Sequence, residues 1–286
     1  MAELKTTRNT DVADDSYLAK PIVYLEGKDD VAFFKDMWFR DLREKIEFKR
    51  AAGCTDVVAK VKAAHSAGIS QVHGLVDRDA LKRQQHWDGF WETDDRIFEQ
   101  THAHTFHPNV RVLRRWEVEN YMLDADAVND TVYDRTAGRV HLGQTGALTE
   151  LMVHWSVLTS VVAANAFFHE HGERELDDGF GLNCHSWLGI TKRVGGELKK
   201  KTNKWSLKTH LQPNMNRVAN FDPGSATTQA DRWLACCRCT DGKRLLERIR
   251  SNHGIRGSIT YSLARLVGER NRLDPEITGF VERLIV

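Results

Sequence analysis

Apolar and polar positions change period several times along the first half of the chain. Residues 21–25 (PIVYL) form a continuous apolar run of strand length. Val31, Phe34, Trp38 and Leu42 then recur near helical spacing. Residues 46–51 predict a second strand. Thr55 is placed to cap a helix whose stripe is Val57 or Val58, Val61 and Ala64, with Gly68 ending it. Residues 72–76 (VHGLV) predict a third strand, residues 93–104 a helix, and residues 109–116 (NVRVLRRW) a fourth strand. Strands separated by helical patterns predict an α/β fold: a mostly parallel sheet of about four strands with helices on both faces.

The texture changes after residue 123. Residues 124–146 are polar and rich in turn formers, and helical patterns follow over 147–171, 229–252 and 258–286. This predicts two domains, 1–123 and a mainly α-helical 124–286. The second would serve dimerisation, partner binding or RNA binding.

With 286 residues and 41% hydrophobic composition, the chain can bury a sizeable core. No apolar run of membrane-spanning length is expected, and the polar, acidic start does not read as a leader. The expectation is a cytoplasmic protein with no membrane partner. Five cysteines, Cys54, Cys184, Cys236, Cys237 and Cys239, lack paired zinc-ribbon spacing and read as reduced thiols. The net charge of +1 excludes nucleic-acid binding by bulk charge, so any such binding needs a local patch. Residues 190–210 supply one, with Lys199, Lys200, Lys201 and Lys204 at its centre and Trp205 inside it as a stacking candidate. A solvated helix is the competing reading.

Acidic residues sit where the predicted strands end. Glu26-Gly27 follows the first, Asp77-Arg78-Asp79 the third, and Glu117-Val118-Glu119 the fourth. In parallel α/β sheets ligands gather at the carboxyl ends of strands. Carboxylates converging there repel one another and lose hydration, and a hard, oxygen-preferring cation such as Mg²⁺ relieves both costs. Each piece alone reads equally well as a turn or a helix cap. The ordered combination within an α/β pattern is far more specific.

Tyr-Leu-Glu-Gly-Lys-Asp-Asp (24–30) followed by Gly-Leu-Val-Asp-Arg-Asp (74–79) resembles the TOPRIM domain of topoisomerases, bacterial primases and OLD-family nucleases. Asp30 matches an extra acidic position of the OLD branch. Glu119-Asn120-Tyr121 and the late Asp241-Gly242-Lys243-Arg244-Leu245-Leu246 resemble motifs of standalone OLD-like TOPRIM proteins, a family that includes effectors of the PARIS anti-phage defence system. The strong resemblance covers residues 20–123. It implies a metal-dependent endonuclease acting by two-metal phosphodiester hydrolysis. Glu26, Asp77 and Asp79 would be catalytic and, with Asp30 and Glu119, would hold one or two Mg²⁺ ions, with Mn²⁺ as a substitute. A cation stabilising the transition state would be Lys192, Lys243 or Arg78. The resemblance further implies a toxic effector that cleaves tRNA, dimerises when active and is restrained by a partner ABC-type ATPase.

Three other readings stand beside this one. A haloacid-dehalogenase phosphatase would carry its Asp pair on the first strand, and here that strand ends in Glu-Gly. An OLD-like DNA nuclease differs only in substrate. A non-catalytic TOPRIM module would regulate a partner ATPase through the helical half. His102, His104 and His107 read as exposed histidines rather than ligands.

Overall fold

In a computed structural model, residues 20–285 are described except Asn203; the N-terminal segment read above as no leader lies outside the described residues. The chain divides into two compact units.

Of the described residues, 20–76, 104–112 and 274–285 make up the first unit. Its sheet has four parallel strands in the order β2-β1-β3-β4: β1 Ile22–Leu25, β2 Glu47–Arg50, β3 Val72–Val76 and β4 Val110–Val112. The two central strands carry the apolar runs, and β1 is buried at every position. Residues 113–116, expected as strand, are not part of β4. Helix α1 (Lys28–Ala32) passes into a π-turn at Phe33–Trp38, which buries Phe33, Phe34 and Trp38. Helix α2 (Cys54–Ser66) buries Cys54, Val57, Val61 and Ala64, as its stripe requires, but its N-cap is Gly53 rather than Thr55. The helix packs on the sheet at Gly74, where a Cβ would come within 2.6 Å of Val57. Arg111 of β4 pairs with Glu276 at 3.0 Å in the interior of this unit. Glu276 lies on α13 (Pro275–Leu284); α3 to α12 belong to the second unit.

That unit comprises residues 77–103 and 113–273. It holds α3 (Asp79–Arg83), α4 (Trp87–Trp91), α5 (Asp95–Thr101), α6 (Ala125–Arg135), α7 (Gly143–Glu170), α8 (Trp187–Lys201), α9 (Gln212–Ala219), α10 (Gln229–Cys236), α11 (Gly242–Asn252) and α12 (Thr260–Glu269). The expected helix over 229–252 is broken by a 3₁₀ turn at Cys237–Cys239. Helix α7 is the axis of the unit. Its 28 residues are long and apolar enough to cross a membrane, correcting the sequence reading, yet 78% of its most apolar window is buried within the protein. A helix apolar on all sides is expected at the centre of a helical core. Arg244 staples the loop after α7 by donating to the carbonyls of Leu176, Asp177, Asp178 and Phe180.

These units do not coincide with a division at residue 123. Residues 77–103 and 113–123 group with the helices, and the last described residues, 274–285, group with the sheet. Local pattern records what each segment forms, whereas buried long-range contacts such as Arg111–Glu276 decide what it belongs to.

Candidate metal centre

The sheet places the strand-end acids. Glu26 is the residue after β1, and Asp77 the residue after β3. The two strands are hydrogen-bonded neighbours, with Ile22 opposite Val72, so adjacent strand ends carry these carboxylates. Asp79 begins α3, two residues on. Each of the three offers an oxygen within 4.8 Å of the others'. No second group of three or more acidic, histidine or cysteine ligands lies this close among the described residues.

Asp79 is informative in detail. Its side chain is 13% exposed and its Oδ2 accepts from Arg83 at 2.6 Å. Its Oδ1 is buried and has no hydrogen-bond partner among the described residues. A buried acceptor without a donor is costly. A divalent ion shared with Glu26 and Asp77 would supply what Oδ1 lacks, and an all-oxygen set of carboxylates suits Mg²⁺. Asp77 also accepts from the Val118 amide at 3.1 Å, which orients its carboxylate.

Asp30 is not in the close group. It accepts from the Gly27 amide at 2.8 Å and so caps α1, the competing reading for an acid at a helix start.

Glu117 precedes a 3₁₀ turn at Val118–Tyr121 and Glu119 lies within it, and both are buried. Glu117 is held twice by one residue: the Lys243 amide donates to Oε1 at 2.7 Å, and Lys243 Nζ donates to Oε2 at 3.0 Å. Lys243 Nζ also lies 3.5 Å from Glu119 Oε2. Asn120, fully buried, donates to the carbonyls of Cys237 and Thr240 and accepts from the Glu117 amide. Gly242 is required here, since a Cβ would come within 2.7 Å of Asn120 Oδ1 and 3.2 Å of Glu117 Oε1. The Glu-Asn-Tyr and Gly-Lys motifs, read separately in the sequence, are thus one assembly. Burial raises the Glu117 carboxyl above its usual range against the opposing charge of Lys243, and Glu119 and Asp241 add to the rise. The Lys243 side chain is 62% exposed; partial desolvation opposes its charge, but Glu117, Glu119 and Asp77 outweigh it and raise its pKa.

The three candidate cations separate clearly. Arg78 is 1% exposed, and its guanidinium donates to the carbonyls of Gly89, Phe90, Glu92 and Arg114. It stacks over the Phe98 ring, and burial lowers its pKa to about 10, so it stays charged at neutral pH. These bonds make it an internal brace and correct its reading as a transition-state cation. Lys192 is exposed on α8. Lys243 alone is seated among the acids.

In the basic run, Lys199 and Lys204 are exposed. Lys200 pairs with Glu197 at 2.6 Å, and Lys201 pairs with Glu173 at 3.2 Å and covers the Phe168 ring. Trp205 is an aromatic packing residue rather than an open platform, with ring contacts to Phe167, Phe168 and His171. His104 is exposed, and His102 and His107 are half-buried. All five cysteines are free and buried, and burial pushes the Cys239 thiol up to about 12, which suits inert thiols.

Beside Asp79, Glu117 and Lys243 the second unit carries a cleft of about 740 Å³, also lined by Arg83, Arg174 and Arg244. Sequence reading missed this cleft. It also missed a partly buried cluster in which Glu150 Oε1 accepts from His154, His253 and Asn252, while Arg248 donates to His154. Only the helical spacing of Glu150 and His154 hinted at that cluster, because its other members are about a hundred residues away.

A scan against protein-family models, and searches of curated proteins and of solved structures, find no match for this chain.

Proposed function

We propose that this chain is a Mg²⁺-dependent endonuclease of the TOPRIM type. One observation carries the reading: Glu26, Asp77 and Asp79 converge to within 4.8 Å, and the inner oxygen of Asp79 lacks a hydrogen-bond donor. Carboxylates this close repel one another, and a cation among them lowers that cost. Bound by these three residues, a divalent ion would polarise a phosphodiester and make water a competent nucleophile near neutral pH.

The protein's own groups supply the rest. The Val118 amide and Arg83 orient Asp77 and Asp79. Lys243 brings a positive charge to the same acids, and the adjoining cleft, whose arginines Arg83, Arg174 and Arg244 are paired with Asp79, Asp177 and Asp241, opens beside Asp79. Lys199 and Lys204 extend the proposal to polyanion binding. By its resemblance to PARIS effectors, the favoured substrate is tRNA, and the chain would act as a cytoplasmic, toxic anti-phage effector. It would work as a homodimer once released by a partner ABC-type ATPase.

The test is to express wild type and Glu26→Ala in cells and sequence the broken nucleic-acid ends, then repeat cleavage on purified protein across a Mg²⁺ titration. A metal ion contributes several kcal/mol of transition-state stabilisation, so the variant should lose about a thousandfold in rate with its circular dichroism unchanged. Wild-type cleavage by Glu26→Ala rejects the site. A wild type that binds no metal yet holds a partner ATPase tightly favours the non-catalytic module, and broken DNA in place of RNA favours the DNA nuclease.

A further inference from the structure

We infer that Lys243 occupies the position of a second cation, so that the centre takes a single divalent ion, at Glu26, Asp77 and Asp79. The inference rests on the metal reading above and sharpens it, since the family resemblance leaves one or two ions open.

The five acids divide into two sets. Glu26, Asp77 and Asp79 form the close group, and within it Asp79 Oδ1 has no hydrogen-bond donor. Glu117 and Glu119 form the other, and the Lys243 ammonium already stands against both. Both oxygens of Glu117 are taken by that one residue, Oε1 by its backbone amide and Oε2 by its ammonium. The ammonium also stands 3.5 Å from Glu119 and feels the negative charge of Asp77. A lysine ammonium is a compact point charge with three donors, so it can sit among several carboxylates as a small cation does.

Construction of the local backbone favours this position. Lys243 lies in the first turn of α11, where the Asp241 side chain caps the helix and the exposed amides attract an anion. The Glu117 carboxyl accepts there, from the Lys243 amide. Gly242 has no Cβ, which lets the Glu117 carboxylate reach the helix end. Asn120 ties the turn bearing both glutamates to the carbonyls of Cys237 and Thr240. For a second divalent ion to use Glu117, the Lys243 ammonium would have to leave, exposing two buried carboxylates to each other.

Mn²⁺ binding to the full-length protein, followed by calorimetry and electron paramagnetic resonance, tests this without reference to cleavage. Wild type should bind one Mn²⁺ per chain with the spectrum of an isolated ion. Lys243→Met should bind two, with the magnetic coupling of neighbouring ions, and Lys243→Arg should still bind one. Asp79→Asn should lower the affinity of wild type for its one ion by at least tenfold. Two coupled ions in wild type overturn the inference whatever the variants do, and so does a single ion in a folded Lys243→Met protein. Failure of wild type to bind any Mn²⁺ is a different result, which removes the metal reading itself.

Discussion

Glu117 and Glu150 lie in the same compact unit with side chains 8% and 11% exposed, and their environments push them in opposite directions. At Glu150 burial favours the neutral acid, but hydrogen bonds from His154, His253 and Asn252 outweigh it and hold the carboxyl down to about 2. At Glu117 burial wins, and neighbouring acids reinforce it against Lys243. The difference is one of supply. Around Glu150 donors converge from α7, α11 and the residue after it, and the charge is fully answered. Around Glu117 two buried carboxyl groups share the one Lys243 ammonium, so the charge there is answered only in part.

Four substitutions probe the contrast. The largest effect belongs to Arg78→Ala, which removes a fully buried group and leaves four carbonyls without their donor. Chemical denaturation should show a loss of about 3–5 kcal/mol. A loss below about 1 kcal/mol would mean that Arg78 is not the brace described here.

Glu150→Gln comes next. The folded pKa lies below the ordinary value of 4.5, so the charge contributes stability that is complete above 4.5 and disappears as pH falls toward about 2. Near pH 7 the variant should lose about 2–3 kcal/mol, and near pH 2 it should match wild type. Parallel stability–pH curves for the two proteins would break the comparison.

Gly242→Ala puts a methyl group against Asn120 and Glu117. Overpacking should cost about 1–3 kcal/mol. If the Glu117–Lys243 assembly supports the centre, metal affinity should fall as well. A variant of normal stability and normal Mn²⁺ affinity would show that the contact is looser than 2.7 Å implies.

Glu117→Gln should have the smallest effect. A raised carboxyl works against folding as pH climbs from its ordinary value through its folded one, so removing the charge relieves that cost. In metal-free protein near pH 8 the variant should lie within about 1 kcal/mol of wild type or above it. A loss as large as that of Glu150→Gln would erase the distinction between the two sites.

The pattern of the first half was enough to read the strands, since Leu25 and Val76 end apolar runs that can only be central strands of a covered sheet. It also marked Glu26, Asp77 and Asp79, because strand-end positions are local facts. Their approach to 4.8 Å depends on β1 pairing with β3 across about fifty residues, which local spacing suggests but only the sheet decides. Arg78 was misjudged because the sequence shows a cation between two acids and not the four carbonyls that consume its donors. The Glu117–Lys243 clamp joins residues 126 positions apart. Periodicity thus determined what each segment becomes, since helix and strand formation depend on near neighbours in sequence. Tertiary structure decided which charges are answered, since a buried charge is governed by whatever the folded chain places within a few ångströms of it.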